Sequence, residues 1–186
     1  GTADDANGAT TLTITVADVN DITPVYAATS TTPTVNEGAT AVDSNVAITD
    51  ADSGDSNTCN LGGADAGLFT CTLSGQTAYS VAFSSAPDYE TPNSAGSSNE
   101  YTVTVSINDG SNDGATITYT VTVADTNDQT PVYQAADADD AITVNENVGT
   151  GSIDAGTITD TDTVGTYGCT LGGADAADFA CTISGS

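Results

Sequence analysis

Tyr101-Thr102-Val103-Thr104-Val105-Ser106-Ile107 and Ile117-Thr118-Tyr119-Thr120-Val121-Thr122-Val123 alternate strictly between apolar and hydroxyl side chains. A period of two puts every apolar group on one face, so both segments predict half-buried antiparallel strands. Between them, Asn108-Asp109-Gly110-Ser111-Asn112-Asp113-Gly114 supplies residues that tolerate positive φ, which predicts a hairpin with a long tip. Leu12-Thr13-Ile14-Thr15-Val16 repeats the second pattern and predicts another strand of the same kind. Thr on the outer face keeps strand propensity without adding apolar surface. No segment sustains a helical period, so short strands divided by turn residues predict an all-β, Greek-key β-sandwich.

The chain also repeats itself. Asp18-Val19-Asn20-Asp21-Ile22-Thr23-Pro24-Val25-Tyr26 returns as Asp125-Thr126-Asn127-Asp128-Gln129-Thr130-Pro131-Val132-Tyr133, an offset of 107. Val35-Asn36-Glu37 returns as Val144-Asn145-Glu146, Ile48-Thr49-Asp50-Ala51-Asp52 as Ile158-Thr159-Asp160-Thr161-Asp162, and Cys59 and Cys71 as Cys169 and Cys181, at offsets of 109 and 110. A period of about 108 residues is that of a domain, so the architecture is tandem sandwiches and not a solenoid of short units. In this register residues 1–22 are the C-terminal part of a preceding repeat, 23–128 a complete repeat, and 129–186 the N-terminal part of a following one.

Composition narrows the function. With no Lys, Arg or His and 26 acidic residues, the formal charge is −26. A nucleic-acid partner is excluded because nothing here neutralises phosphate. No apolar run approaches the roughly 20 residues of a membrane helix, so membrane insertion is not expected. Self-repulsion at this charge disfavours the compact state unless positive charge comes from outside the chain. All but four of the acids, Glu37, Glu90, Glu100 and Glu146, are aspartates, the short carboxylate suited to loops and hard cations.

The four cysteines form two copies of one pattern, each pair bracketing a Leu-Gly-Gly-Ala-Asp turn that would set the sulfurs across neighbouring strands. Zinc is the rival reading, but there is no Cys-x-x-Cys spacing and no His, so the expected bridges are Cys59 to Cys71 and Cys169 to Cys181. Disulfides imply an oxidising, extracellular or cell-surface setting.

Acidic groups cluster at predicted strand ends: Asp125-Thr126-Asn127-Asp128 where two repeats meet, Asp160-Thr161-Asp162 early in the following repeat, Pro87-Asp88-Tyr89-Glu90 late in the preceding one, and Glu37. Ca²⁺ takes six to eight oxygens at about 2.3–2.6 Å, so a site draws carboxylates and carbonyls from several segments. Two carboxylates about 4 Å apart repel by roughly 4 kcal/mol at an effective dielectric of 20, so this many in one place call for a cation.

Together these motifs resemble the cadherin repeat family, whose domains are Ig-like sandwiches. Asp125-x-Asn127-Asp128-x-x-Pro131-x-Tyr133 is similar to its linker motif, Asn36-Glu37 to its early Glu site, Asp88-Tyr89-Glu90 to its mid-domain acidic pair, Asp50-Ala51-Asp52 to its Asp-x-Asp site, and Asn108-Asp109-Gly110 to its late-strand Asp. The likeness spans essentially the whole chain, with the motifs in the family's order. Ala86-Pro87-Asp88-Tyr89-Glu90-Thr91-Pro92, followed by a Gly/Ser/Asn loop, is most similar to cadherin-like repeats of large bacterial surface proteins.

The resemblance implies Ca²⁺ at the junctions. At the second junction Glu37, Asp88, Glu90 and Asp128 would hold the outermost ion. Glu37, Glu90, Asp125, Asp128 and Asp162, with the Thr126 carbonyl, would hold the middle one. Asn127, the Gln129 carbonyl, Asp160 and Asp162 would serve a third. At the first junction the matching residues are Asp18, Asn20, Asp21, Asp50, Asp52 and Asp109, and Glu146 matches Glu37 for a further junction. Gln129 and Ile22 stand where the family usually has Asn.

The function expected is a calcium-rigidified extracellular stalk, adhesin or filament subunit, whose partners are neighbouring repeats or copies of itself; the incomplete terminal pieces read either as a window on a longer repetitive chain or as pieces completed by strands of another copy. An enzyme is not expected, because no His, Lys or Arg is available for nucleophilic or phosphate chemistry. A glycan-binding accessory module of a secreted protein is the alternative, and a glycan or surface ligand the further partner class. Its signal is weak, since the chain has no Trp and most Tyr fall on alternating core positions.

Overall fold

The computed structural model describes residues 12–52, 54, 56–135, 143–146 and 153–184. Eight strands between Val25 and Ala124 form two four-stranded sheets. In one, β1 (Val25–Tyr26), β3 (Ala41–Thr49), β6 (Ala78–Phe83) and β5 (Phe69–Ser74) lie side by side in that order; in the other the order is β2 (Thr34–Asn36), β8 (Ile117–Ala124), β7 (Glu100–Asn108) and β4 (Thr58–Gly62). All pairs are antiparallel except β2 with β8, where Val35 faces Val123. The predicted hairpin is β7–β8, with Tyr101 opposite Val121 and Val103 opposite Tyr119.

The alternation read from the sequence is the alternation of the core. Tyr101, Val103, Val105, Ile107, Tyr119 and Val121 are fully buried, and they meet Tyr79, Val81 and Phe83 from the opposing sheet. Phe69, Phe83 and Tyr101 make a ring cluster with centroids 4.4–6.3 Å apart. Tyr26 caps one end of the core: its ring stands edge-on to Tyr79 at 5.6 Å, and its hydroxyl donates to the Ala115 carbonyl and accepts the Ile107 amide.

A bulge in β3 between Asp43 and Val46, with Asn45 at φ 54°, changes which side chains face inward. It leaves Asp43 buried, where it accepts the Thr29 amide at 2.9 Å and the Tyr119 hydroxyl at 3.0 Å. The Tyr119 and Tyr79 hydroxyls are 3.1 Å apart, and burial raises the pKa of both phenols above its ordinary value, Tyr119 strongly. Each buried polar atom of this relay thus has a partner, which is the condition for tolerating it in a core.

Cys59 and Cys71 are paired, with Cα atoms 6.1 Å apart. Cys59 lies on β4 and Cys71 on β5, the edge strands of opposite sheets. The bridge therefore does not join neighbouring strands of one sheet, as the turn spacing suggested; it closes the open side of the sandwich. The turn between them runs through a single 3-10 turn at Ala66–Leu68, and Gly63 at φ +95° brings its backbone so near β7 that a Cβ would sit 2.9 Å from the Thr102 carbonyl oxygen.

A second unit opens with β9 (Val132–Ala135) and β10 (Gly156–Thr159), where Val132 faces Thr159 and Tyr133 faces Ile158. This is the register of Val25 with Thr49 and Tyr26 with Ile48. Cys169 and Cys181 are paired here too, around a 3-10 turn at Ala176–Asp178. Phe179 is 53 % exposed where its counterpart Phe69 is buried, because no described residue of this unit takes the place of Phe83 and Tyr101. Tyr133 is likewise exposed and, unlike Tyr26, caps no core.

Leu12–Val16 is not a strand. Leu12, Ile14 and Val16 are 81 %, 76 % and 89 % exposed, whereas their counterparts Tyr119, Val121 and Val123 are buried on β8. A strand needs a hydrogen-bonded neighbour, and no described segment pairs with it.

Because the Cys59–Cys71 bridge joins two sheets that share no strand pairing, and are otherwise tied by side-chain contacts such as Tyr79 with Tyr119, its removal weakens the sandwich directly. The double variant Cys59→Ser/Cys71→Ser should lose about 3 kcal/mol of unfolding free energy in urea, the usual value for a loop of this length. A loss below about 1 kcal/mol would show that the sheets hold together without it.

Candidate metal centre

The backbone brings the second-junction residues together. The Glu37 amide donates to the Ala124 carbonyl at 2.9 Å, extending the β2–β8 pairing to the root of the linker. Gly38, at φ +75°, then turns the chain so that its amide meets the Pro87 carbonyl at 3.0 Å. Glu37 is thereby wedged between the 87–91 loop and the linker.

Its carboxylate is well supplied with donors. Oε1 accepts the Thr126 amide at 2.7 Å and the Thr126 hydroxyl at 3.0 Å, and Oε2 accepts the Tyr89 amide at 2.8 Å. Those bonds, from Tyr89 first and then Thr126, hold its pKa below the ordinary carboxylate range. Asp88 is also pulled down, by the Thr91 hydroxyl and by the Thr91 amide at 2.9 Å. Glu90 goes the other way: desolvation, with Glu37, Asp125 and Asp162 nearby, raises it.

The following unit supplies the other wall. Asp162 is 9 % exposed and its Oδ2 accepts the Gln129 amide at 2.8 Å, while its own amide donates to Asp160 Oδ1 at 3.2 Å. Gln129 also donates through its side chain to Asp128 Oδ1 at 2.7 Å, so this Gln is used for more than its carbonyl. Asp125 Oδ2 accepts both the amide and the hydroxyl of Thr163. Asn127 lies with Asp160 and Asp162 along a cleft that also includes Pro131 and Thr163–Gly168.

Two triads converge on one residue. Carboxylate oxygens of Glu37, Asp88 and Glu90 lie within 4.8 Å of one another, and so do those of Glu90, Asp128 and Asp162. Buried at this place and lacking any hydrogen-bond partner are both oxygens of Glu90, Oδ1 of Asp125 and Oδ1 of Asp162. A buried, unpaired carboxylate oxygen is costly, and no cationic side chain exists in the chain to offset it. A hard divalent cation fits this donor set, which is all oxygen and drawn from both units.

The first junction repeats the local bonds. Asp52 Oδ2 accepts the Asp21 and Ile22 amides at 2.8 and 2.7 Å, the Asp52 amide donates to Asp50 Oδ1 at 3.2 Å, and Asp50 Oδ2 is buried without a partner. Asn20 reaches the Asp109 carbonyl at 3.1 Å. The Asp109 carboxylate is turned onto its own hairpin tip, where Oδ1 accepts the Ser111 and Asn112 amides. Desolvation alone would raise its pKa, and those amides outweigh it to hold the pKa below the ordinary carboxylate range. Asp18 is exposed, and no described residue takes the roles of Glu37, Asp88 or Glu90 on the preceding side. Glu146, the repeat counterpart of Glu37, is exposed.

Three supporting side chains were not singled out from the sequence. Asp43 and Thr163 lie inside segments with no local signal. Asp65 could have been found from the turn pattern: it is buried, and its two oxygens accept the Ala95 and Thr102 amides at 2.6 Å each, fastening the 94–102 loop.

Neither a protein-family model nor a curated protein sequence matches the chain. Solved structures do. Human CDH23 EC21-23 is 28 % identical with a TM-score of 0.52, covering 80 % of this chain and 47 % of that one. Mouse Cadherin-23 EC22-24 is 25 % identical with a TM-score of 0.53, covering 77 % and 46 %. The Protocadherin gammaB7 EC3-6 cis-dimer is 29 % identical with a TM-score of 0.51, covering 80 % and 35 %. The fold is thus a cadherin-like β-sandwich repeat, and the chain spans less than half the length of these structures.

The opposite displacements of Glu37 and Glu90 give a signed expectation for the metal-free chain. Ionised Glu90 destabilises the fold as pH rises through its raised folded value, so Glu90→Gln in chelator should melt higher than wild type at pH 7. That advantage should vanish on acidification, once wild-type Glu90 is itself protonated. Glu37→Gln should melt lower at pH 7, with the deficit lost as pH falls through the lowered folded value of Glu37. Melting curves across pH decide it, and a Glu90→Gln variant no more stable than wild type at pH 7 contradicts the assignment.

Proposed function

We propose that the chain is a calcium-binding, extracellular structural or adhesive module, in which Ca²⁺ held between successive repeats stiffens a stalk, adhesin or filament. The observation that carries this reading is the set of buried, unpartnered oxygens on Glu90, Asp125 and Asp162, gathered from two units and a linker. Likeness to multi-repeat cadherin extracellular structures supports it.

In this reading Glu37, Asp88, Glu90 and Asp128 hold one ion, and Glu37, Glu90, Asp125, Asp128, Asp162 and the Thr126 carbonyl a second. Asn127, the Gln129 carbonyl, Asp160 and Asp162 contribute to a third. When bound, Ca²⁺ supplies the positive charge that the sequence lacks. The protein's own part is to hold acids from both sides, so that the ligands reach together only when the units are aligned. Repeat limits of 23–128 and 129 onward follow from placing the junction at 125–128. The two disulfides suit an oxidising, extracellular location, and no described helix is long and apolar enough to cross a membrane. The partners are neighbouring repeats or other copies of the chain, and the role is architectural and not catalytic. The Ala86–Pro92 wording favours repeats of bacterial surface proteins as the nearest kind.

Calorimetric titration should give dissociation constants of about 10⁻⁴–10⁻³ M, the range of extracellular modules. Asp125→Asn and Glu90→Gln should each weaken binding by about tenfold or more, since ligand charge sets the affinity. Millimolar Ca²⁺ should raise the melting temperature and excess EDTA reverse the rise; identical melting curves in calcium and in EDTA would overturn the reading.

A further inference from the structure

Two threonines link the units without any ion. Thr126, in the linker, gives its amide and hydroxyl to Glu37 Oε1 at the end of β2, at 2.7 and 3.0 Å. Its neighbour Asp125 receives the amide and hydroxyl of Thr163, which belongs to the following unit. The path runs Glu37, Thr126, Asp125, Thr163, from one sandwich to the next. On Asp125 the threonine takes Oδ2, while Oδ1 stays buried and unpartnered.

We propose that the Thr126 and Thr163 hydroxyls are positioning groups that clasp the second junction in register before metal arrives and thereby set its calcium affinity. The affinity half rests on the junction reading above. A carboxylate with one oxygen anchored has lost its rotational freedom, so its second oxygen is already aimed and the ion need not order it. Charge-assisted bonds of this kind are stronger than neutral ones. The repeat offers an internal contrast, since the position matching Thr126 at the first junction is Val19, which has no hydroxyl to give. A valine at this place is therefore compatible with the linker backbone, and Thr126→Val removes the hydroxyl and little else.

The test is residue-resolved NMR on the full chain, first in EDTA and then through a calcium titration followed at the amides of residues 125–129. In EDTA, Thr126→Val and Thr163→Val should lower amide-exchange protection in the linker several-fold, and Thr126→Ser and Thr163→Ser, which keep the hydroxyl, should not. In calcium, each valine variant should weaken binding at these amides by about tenfold, the size of a lost bond to a charged group, with the serine variants near wild type. Core protection at Val103 and Val121 should be equal in all, which separates positioning from general destabilisation. Valine variants with wild-type protection and affinity, or serine variants as impaired as valine ones, overturn the clasp. A wild-type chain with no calcium response at these amides refutes the junction reading and the affinity half, while the EDTA exchange data still decide whether the clasp exists.

Discussion

Buried negative charge without a positive side chain is the constraint around which this molecule is arranged. Glu90 presents two buried oxygens with no partner, and Asp125 and Asp162 one each, in a chain devoid of Lys, Arg and His. In most proteins such a group would meet an arginine or be protonated. Here the unpartnered oxygens lie together, with carboxylate oxygens of Glu90, Asp128 and Asp162 within 4.8 Å of one another. No side chain of the polypeptide can offset that charge.

The rest of the fold serves that arrangement. The parallel β2–β8 pairing sets Glu37 against the linker root, and the turn at Gly38 presses it against the 87–91 loop. The Asp162 carboxylate is locked by the Gln129 amide and backed by Asp160. The sandwich behind these loops is thin and alternates in β6, β7 and β8, its two sheets fastened by aromatic contacts and by the Cys59–Cys71 bridge across their edges. Backbone amides fix one oxygen of Asp125 and of Asp162 and leave the other buried and unpartnered, so the chain itself orients these carboxylates.

Much of this was legible in the sequence, for a physical reason. Strict apolar and hydroxyl alternation in β7 and β8 states the core directly, and the recurrence of Asp-x-Asn-Asp is matched by the recurrence of the β1–β3 register in β9–β10. Which acids converge was readable only through the family resemblance, because Glu37, Glu90 and Asp162 lie far apart along the chain. Other features depend on three-dimensional context. Asp43 faces inward only because of a bulge at Asn45, and its surroundings of Val42 and Ser44 look like any strand. Spacing alone cannot tell that Cys59 and Cys71 lie in different sheets. Leu12–Val16 has the right pattern for a strand, yet pattern does not provide a neighbour to pair with.

The most direct measurement is a crystal structure grown in millimolar calcium, with anomalous scattering used to locate the metal. Calcium peaks are expected at the Glu37–Asp88–Glu90 and Glu90–Asp128–Asp162 groups, within about 2.3–2.6 Å of their carboxylate oxygens. Carboxylates swung apart into solvent, with no anomalous density at residues 125–128, would contradict the account.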